Sequence, residues 1–287
     1  VGVGEVSNGV LPHRNGRWPV HLLSRGRAAG CADALVPAWL SVILAEQDYE
    51  CGVELLRPSA FINEEPAITW LAGVLGELAA SRNVSVLTST TAFGLYDHGT
   101  AGLLQRLDLG GGRRAVRQRY WRVRARQTLL ATGAIEQPLV FGHNDLPGIM
   151  QAGAVRQYAN RYAVAAGRRV AFATNNDTAY LAALDLVAAG VEVPLLVDSR
   201  IAAPAALTDR VRECGVEIAT ESVLLEAHGR RSLQGVRIAR LGPDGAITGT
   251  RDIECDALGM SGGWAPATWP RWMCSARSPT WRPGWSR

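Results

Sequence analysis

Apolar and polar positions follow two alternating periods through the middle of the chain, and neither period extends to the ends. Residues 42–46 (Val-Ile-Leu-Ala-Glu) are an apolar run closed by an acid, which predicts a buried strand. Over 65–80 the apolar residues Ile68, Leu71, Leu75 and Leu78 recur at helical spacing. Residues 84–87 predict the next strand, 92–97 and 102–109 an antiparallel pair, and 119–125 another strand beyond a Gly110-Gly111-Gly112 turn. Residues 128–132 close this unit.

A second unit opens with a predicted helix over 151–162 and a strand over 169–174. A helix over 177–189 can bury Leu181, Leu184 and Leu186, and Gly190 stops it. A strand over 191–198, again ending in an acid, leads to a helix over 203–214 and a strand over 216–218. Residues 232–241 and 248–253 predict a hairpin around Gly242-Pro243-Asp244-Gly245. This β-α-β-α-β order implies a parallel sheet with right-handed crossovers. The expected fold class is α/β, with two dinucleotide-type units and the second inserted in the first. The first comprises 42–133 plus 254–264 and the second 134–253.

Residues 1–41 show no sustained periodicity and stay unassigned, as does the tail 265–287. Five of the nine tryptophans (Trp264, Trp269, Trp272, Trp281, Trp285) stand near the end with no pattern to bury them. Such Trp/Arg/Pro/Ser text is what an out-of-frame reading of GC-rich DNA produces. The expectation is therefore a frameshift or truncation rather than a genuine tail.

Composition narrows the class. With 287 residues and 47% hydrophobic content, the chain can bury one sizeable core or two modest ones. No stretch approaches the about 18 consecutive apolar residues of a membrane span, and no secretory pattern opens the chain. The expected setting is cytoplasmic. The net charge of +4 comes from arginine alone. The densest basic run, 113–126, alternates with Val, Tyr and Trp as a solvated strand face would, so no nucleic-acid partner is expected. Cys31, Cys51, Cys214, Cys255 and Cys274 form no C-x-x-C pair, which argues against structural zinc and against a redox dithiol.

The chemistry gathers at strand ends. Ala131-Thr132-Gly133-Ala134 puts a tight Thr-Gly at the carboxyl end of a strand, where backbone can approach a flat or charged ligand and where open α/β sheets bind dinucleotides. Glu46, followed by Gln47-Asp48, stands where an acid accepts ribose hydroxyls, although a solvated strand-end carboxylate accounts for it equally well. No G-x-G-x-x-G precedes Val42 at the required spacing: Gly2 and Gly4 are too distant, and Gly26 and Gly30 lie in unpatterned text. The first domain is thus expected to be incomplete, without its first strand or its phosphate cradle. In the second unit, Thr174-Asn175-Asn176-Asp177-Thr178-Ala179-Tyr180 replaces a glycine loop. Asn176 or Asp177 can cap the helix there, and a carboxylate would repel a pyrophosphate. His13, His21, His98, His143 and His228 are scattered, so no catalytic residue and no metal site is assigned.

Several of these segments carry a family resemblance. Ile43-Leu44-Ala45-Glu46-Gln47-Asp48 with Gly52, the stretch 88–98, Ala131-Thr132-Gly133-Ala134 with Asn144-Asp145-Leu146-Pro147-Gly148-Ile149-Met150, Asn175–Tyr180, and Asp256–Trp264 together resemble the alpha subunit of heterotetrameric sarcosine oxidase and related FAD-dependent amine and opine oxidoreductases. Val53 replaces the second glycine of a pair in that pattern. The resemblance implies a two-dinucleotide-domain (glutathione-reductase-like) fold holding NAD or FAD in its first unit. It implies cofactor contacts from Glu46, Gln47, Gly52, Ala92, Ala131, Thr132, Gly133, Gly262 and Gly263. It further implies flavin-carrying partner subunits of a hetero-oligomer, where sarcosine or a related secondary amine is oxidised, and a folate-binding portion in the full subunit. The alternative expectation is a cofactor-less or truncated remnant acting as a binding or assembly module. A thioredoxin-reductase-type enzyme would need a C-x-x-C that the second unit lacks.

Overall fold

The computed structural model describes residues 7–9, 20–24, 41–55, 61–107 and 117–267. The Gly110–Gly112 turn, Gly26, Gly30 and most of both unassigned ends lie outside the described residues. The chain divides into two compact units, one comprising 1–55, 62–133 and 266–287, the other 56–61 and 134–265.

Unit one contains β1 (Ser7–Gly9), β2 (Val20–Ser24) and β3 (Val42–Glu46). Next come β4 (Phe61–Ile62), β5 (Glu65–Pro66), α1 (Ala67–Ala80) and β6 (Val84–Leu87). β7 (Thr90–Tyr96), β8 (Thr100–Arg106), β9 (Gln118–Arg124) and β10 (Gln127–Ala131) complete it. Its central sheet is wholly parallel, in the order β10-β2-β3-β6. β2 corrects the sequence reading, which leaves the first strand missing. Val-His-Leu-Leu-Ser has no periodicity of its own, and ladders on both sides hold it in the sheet interior. Every residue of β3 is buried, as a parallel strand covered on both faces requires. Leu44 packs against Leu71, Val74 and Leu78 of α1. Ile43 and Ala45 face the opposite way, against Leu95, Ala101, Leu103, Trp121 and Val123 of the antiparallel strands β7, β8 and β9.

Unit two contains β11 (Ala134–Glu136), β12 (Ile149–Gln151), α2 (Ala152–Tyr162), β13 (Val170–Thr174) and α3 (Thr178–Ala188). β14 (Leu195–Asp198), α4 (Ala205–Glu213) and β15 (Glu217–Ala219) follow. The hairpin strands β16 (Ser222–Gly229), β17 (Leu233–Leu241) and β18 (Ile247–Glu254) precede β19 (Ala257–Ser261) and β20 (Trp264–Pro266). Five parallel strands run in the order β12-β19-β13-β14-β15. Val170, Phe172 and Leu196 bury one face against α2, α3 and α4. Ala171, Ala173, Leu195 and Val197 bury the other against Leu224, Val236 and Ile238 of the hairpin layer.

Two expectations shift for stated reasons. The helices predicted from 65 and from 203 begin at 67 and 205, because Pro66 and Pro204 stand at their N-caps with ψ of 129° and 124°, and a proline also biases its predecessor away from helix. Residues 254–264, read with the first domain, carry β19, which lies between β12 and β13 in unit two. Its five residues are all buried, and the missing side chain of Gly259 admits the Phe172 ring, whose Cε1 would lie 2.4 Å from a Cβ there. Among the described residues, no helix is long and apolar enough to cross a membrane.

Candidate functional site

The carboxyl ends of three parallel strands stand level in unit one. Ser24 pairs in register with Glu46 on one side and with Ala131 on the other. With β6 beyond β3, the order β6-β3-β2-β10 is the 3-2-1-4 arrangement of a dinucleotide-binding half, whose ligand crevice lies at those strand ends. Glu46 is 1% exposed, and its Oε1 accepts the Asp48 N–H at 3.1 Å. The loop that follows is tied back where the Ser89 N–H donates to the Asp48 carbonyl at 2.7 Å. Burial, with Glu46 and Asp48 adding to it, pushes the Cys51 thiol up to about 11, so it stays protonated at neutral pH. At the end of β10, the Thr132 hydroxyl donates to the Ala267 carbonyl and the Ala267 N–H donates to the Gly133 carbonyl, each at 2.9 Å. Gly133 has φ of +67°, a backbone state that favours glycine.

The equivalent edge of unit two is occupied by its own side chains. Asp198, which ends β14, is fully buried. It accepts the Tyr180 hydroxyl at 2.8 Å and the Arg200 guanidinium from Nε and Nη2 at 3.1 and 2.8 Å. Arg200 Nη1 reaches the Asp177 carboxylate at 2.8 Å. Burial, and then the Asp198 carboxylate, hold the Tyr180 phenol well above its ordinary range. In the loop after β13, Asn176 Oδ1 accepts the Thr178 N–H at 2.9 Å, while its amide donates to the Ser261 carbonyl and hydroxyl at 3.1 and 3.0 Å. Asn175 donates to the Gly262 carbonyl at 3.1 Å.

No protein-family model matches the chain. The sarcosine oxidase subunit alpha of Rhizobium meliloti (strain 1021) is 40% identical over 242 residues, 83% of this chain and 23% of that protein. That of Corynebacterium sp. (strain P-1) is 38% identical over 232 residues, 78% of this chain and 24% of that protein. The chain is a partial relative of the sarcosine oxidase alpha subunits. It spans about a quarter of the length of these curated relatives. Among solved structures, L-proline dehydrogenase from P. horikoshii superposes with a TM-score of 0.61 at 18% identity, over 96% of this chain and 46% of that one. Thioredoxin reductase from T. acidophilum gives 0.64 at 12%, over 88% and 79%. These likenesses establish the two-dinucleotide-domain oxidoreductase fold.

Within this alpha-subunit relative, the residues singled out from sequence separate. Glu46, Ala131, Thr132 and Gly133 gather at the strand ends of unit one, and Gln47, the residue after Glu46, is exposed. Gly52 has φ of +77°, and a Cβ on it would lie 2.5 Å from Leu71 Cδ2, so packing on α1 accounts for this glycine. Ala92 sits in the apolar cluster between the parallel sheet and the antiparallel strands of unit one. Gly262 and Gly263 belong to unit two, where the Gly262 N–H donates to the Gln137 carbonyl and the Gln137 N–H to the Gly263 carbonyl, both at 2.8 Å. Sequence reasoning missed the strand end at Ser24, whose only signal is the Leu22-Leu23 pair before it, and Arg200, whose role depends on a turn that folds it back onto Asp198. Among the described residues no cluster of three or more His, Cys, Asp or Glu could hold a metal ion.

Proposed function

We propose that this chain is the dinucleotide-binding segment of an amine oxidoreductase of the sarcosine oxidase type, with NAD or FAD held in unit one. The observation that carries this reading is Glu46, a buried acid at the carboxyl end of β3, level with the ends of β2 and β10 in a parallel sheet of dinucleotide-binding order. The donor set suits such a group: a carboxylate for ribose hydroxyls and a side-chain-free backbone at Gly133 for close approach. Glu46 would hold the ribose, while Gln47, Ala131, Thr132 and Gly133 would line the crevice. Gly52 and Ala92 would support it from behind.

When bound, the nucleotide supplies hydride chemistry. The amine, sarcosine or a related secondary amine, would be oxidised at flavin in partner subunits, which makes this chain one component of a hetero-oligomer. The reading draws its site from unit one alone, because Gly262 and Gly263 already bond to Gln137 and Asn175.

Absorbance of the purified chain, followed by calorimetric titration with NAD and with FAD, tests this function. A yellow bound flavin or saturable binding of either nucleotide is the expected result. A cooperatively folded chain that binds neither overturns the proposal and leaves a cofactor-less assembly module.

A further inference from the structure

We infer that unit two keeps a dinucleotide-binding fold whose nucleotide crevice is closed by its own side chains, so that any dinucleotide this chain takes is held in unit one. The inference rests on the proposed reading of unit one for where the nucleotide goes, and on separate residues for where it does not.

A dinucleotide site places an acid that can turn to ribose hydroxyls at the end of the second strand, and sets the pyrophosphate against the turn after the first strand and the N–H groups of the following helix start. In unit two the acid and the first N–H of the helix are already engaged, and the turn lacks glycine. Asp198 holds the acid position, but its Oδ1 accepts the Arg200 N–H and Nε at 2.9 and 3.1 Å. Its Oδ2 accepts Tyr180, Arg200 Nε and Arg200 Nη2. Arg200 thus takes the contacts that ribose hydroxyls would make. The turn after β13 contains Asn175-Asn176-Asp177 and no glycine. Asn176 spans from the Thr178 N–H to Ser261, so its side chain takes the first helix-start donor and bridges from there to β19. Trp264 Nε1 also donates to the Thr178 hydroxyl at 2.8 Å, adding an indole beside the same helix start.

Charge points the same way. Asp177 and Asp198 share the single Arg200 cation, which leaves the cluster one negative charge in excess where a pyrophosphate would have to sit. A nucleotide would have to break the Arg200–Asp198 contacts, displace Asn176 and overcome that charge.

Hydrogen exchange by mass spectrometry on the full chain tests this, with and without saturating NAD, NADH, NADP, NADPH and FAD. The expected result is that amides in 174–180 and 196–201 keep their exchange rates within about two-fold in every case, since no bound group stabilises them. Protection confined to 41–55 supports both readings of the molecule. Protection in neither unit supports the closed crevice and overturns the unit-one function. A nucleotide that slows exchange in 174–180 and 196–201 overturns the inference, whatever happens in unit one.

Discussion

Arg200 closes on Asp198 through Nε and Nη2 at 3.1 and 2.8 Å, and the carboxylate it holds is wholly buried. The two residues are separated in sequence only by Ser199, so a single turn at the end of β14 satisfies an acid that would otherwise be costly to bury. Replacing Arg200 with Ala removes the cation and leaves Asp198 with only its Tyr180 and backbone partners. The expected cost is about 2–4 kcal/mol, toward the low end because the Arg200 side chain is 28% exposed. Urea unfolding of the two chains measures it. A change below about 0.5 kcal/mol would mean that water replaces the guanidinium freely.

Asn176, and not Asp177, caps α3. The two were interchangeable from sequence, since either residue type caps helices. The Asn176 side chain accepts the Thr178 N–H and bonds Ser261, whereas the Asp177 carboxylate is turned to Arg200. Asn176→Ala is therefore expected to cost about 1–3 kcal/mol, for the lost cap and the lost bonds to β19. Asp177→Ala loses only a half-exposed ion pair and should cost no more than about 1 kcal/mol. Equal effects in a denaturant series would reverse this assignment.

Asn176 and Asp177 illustrate what was legible in the chain. The parallel sheets were legible because their strands, such as 42–46 and 170–174, are apolar runs closed by a polar residue, and α1 because its apolar residues recur at helical spacing; in α3, of the three leucines expected inside, only Leu186 is fully buried. Three things were hidden for physical reasons. β2 is short, contains a histidine and depends on neighbours on both sides, so nothing local announces it. β19 is an apolar Ala-Leu-Gly-Met run closed by Ser261, a pattern that suits either sheet, and only its pairing with β12 and β13 decides. The engaged state of Asp198 depends on contacts from Tyr180 and Arg200, 18 and 2 residues away, which no motif spacing reports.

Glu46 gives the sharpest functional test. Its carboxylate is the expected ribose acceptor, so Glu46→Gln and Glu46→Ala should weaken dinucleotide binding by about 1–3 kcal/mol, the worth of charge-assisted hydrogen bonds. Calorimetry gives the affinity, and thermal unfolding of the same variants separates binding from folding. Unchanged affinity in a folded Glu46→Ala chain would remove the residue from the site.

Gly259 should tolerate no side chain. Phe172 is fully buried, and a Cβ at 259 would meet its ring edge at 2.4 and 2.6 Å. Both residues lie on interior strands, so the ring has little room to retreat. Gly259→Ala is expected to cost about 1–3 kcal/mol of overpacking. A paired Gly259→Ala, Phe172→Leu chain should recover part of that loss, and failure to recover any of it would exclude the ring as the cause.

The alkaline limb of stability should be set by thiols and phenols, because the chain contains no lysine. Burial, reinforced by Glu46 and Asp48, pushes Cys51 up to about 11. Burial likewise pushes Cys255 up to about 12, with Asp256 adding and Arg169 opposing. An unfolded thiol loses its proton near pH 8.5, so above that pH the unfolded state is deprotonated while the native state still holds the proton. The stabilisation these thiols contribute is complete below that value and falls as pH rises toward 11 and 12. Tyr180, also raised, extends the loss in the same direction. Urea midpoints taken from about pH 8 to pH 10.5 should decline steadily, and Cys51→Ala should flatten the slope. At pH 8, alkylation followed by peptide mapping should find Cys214, which is exposed, modified well before Cys51 and Cys255. A Cys51 thiol that reacts as fast folded as unfolded would show that the acids beside it do not hold its proton.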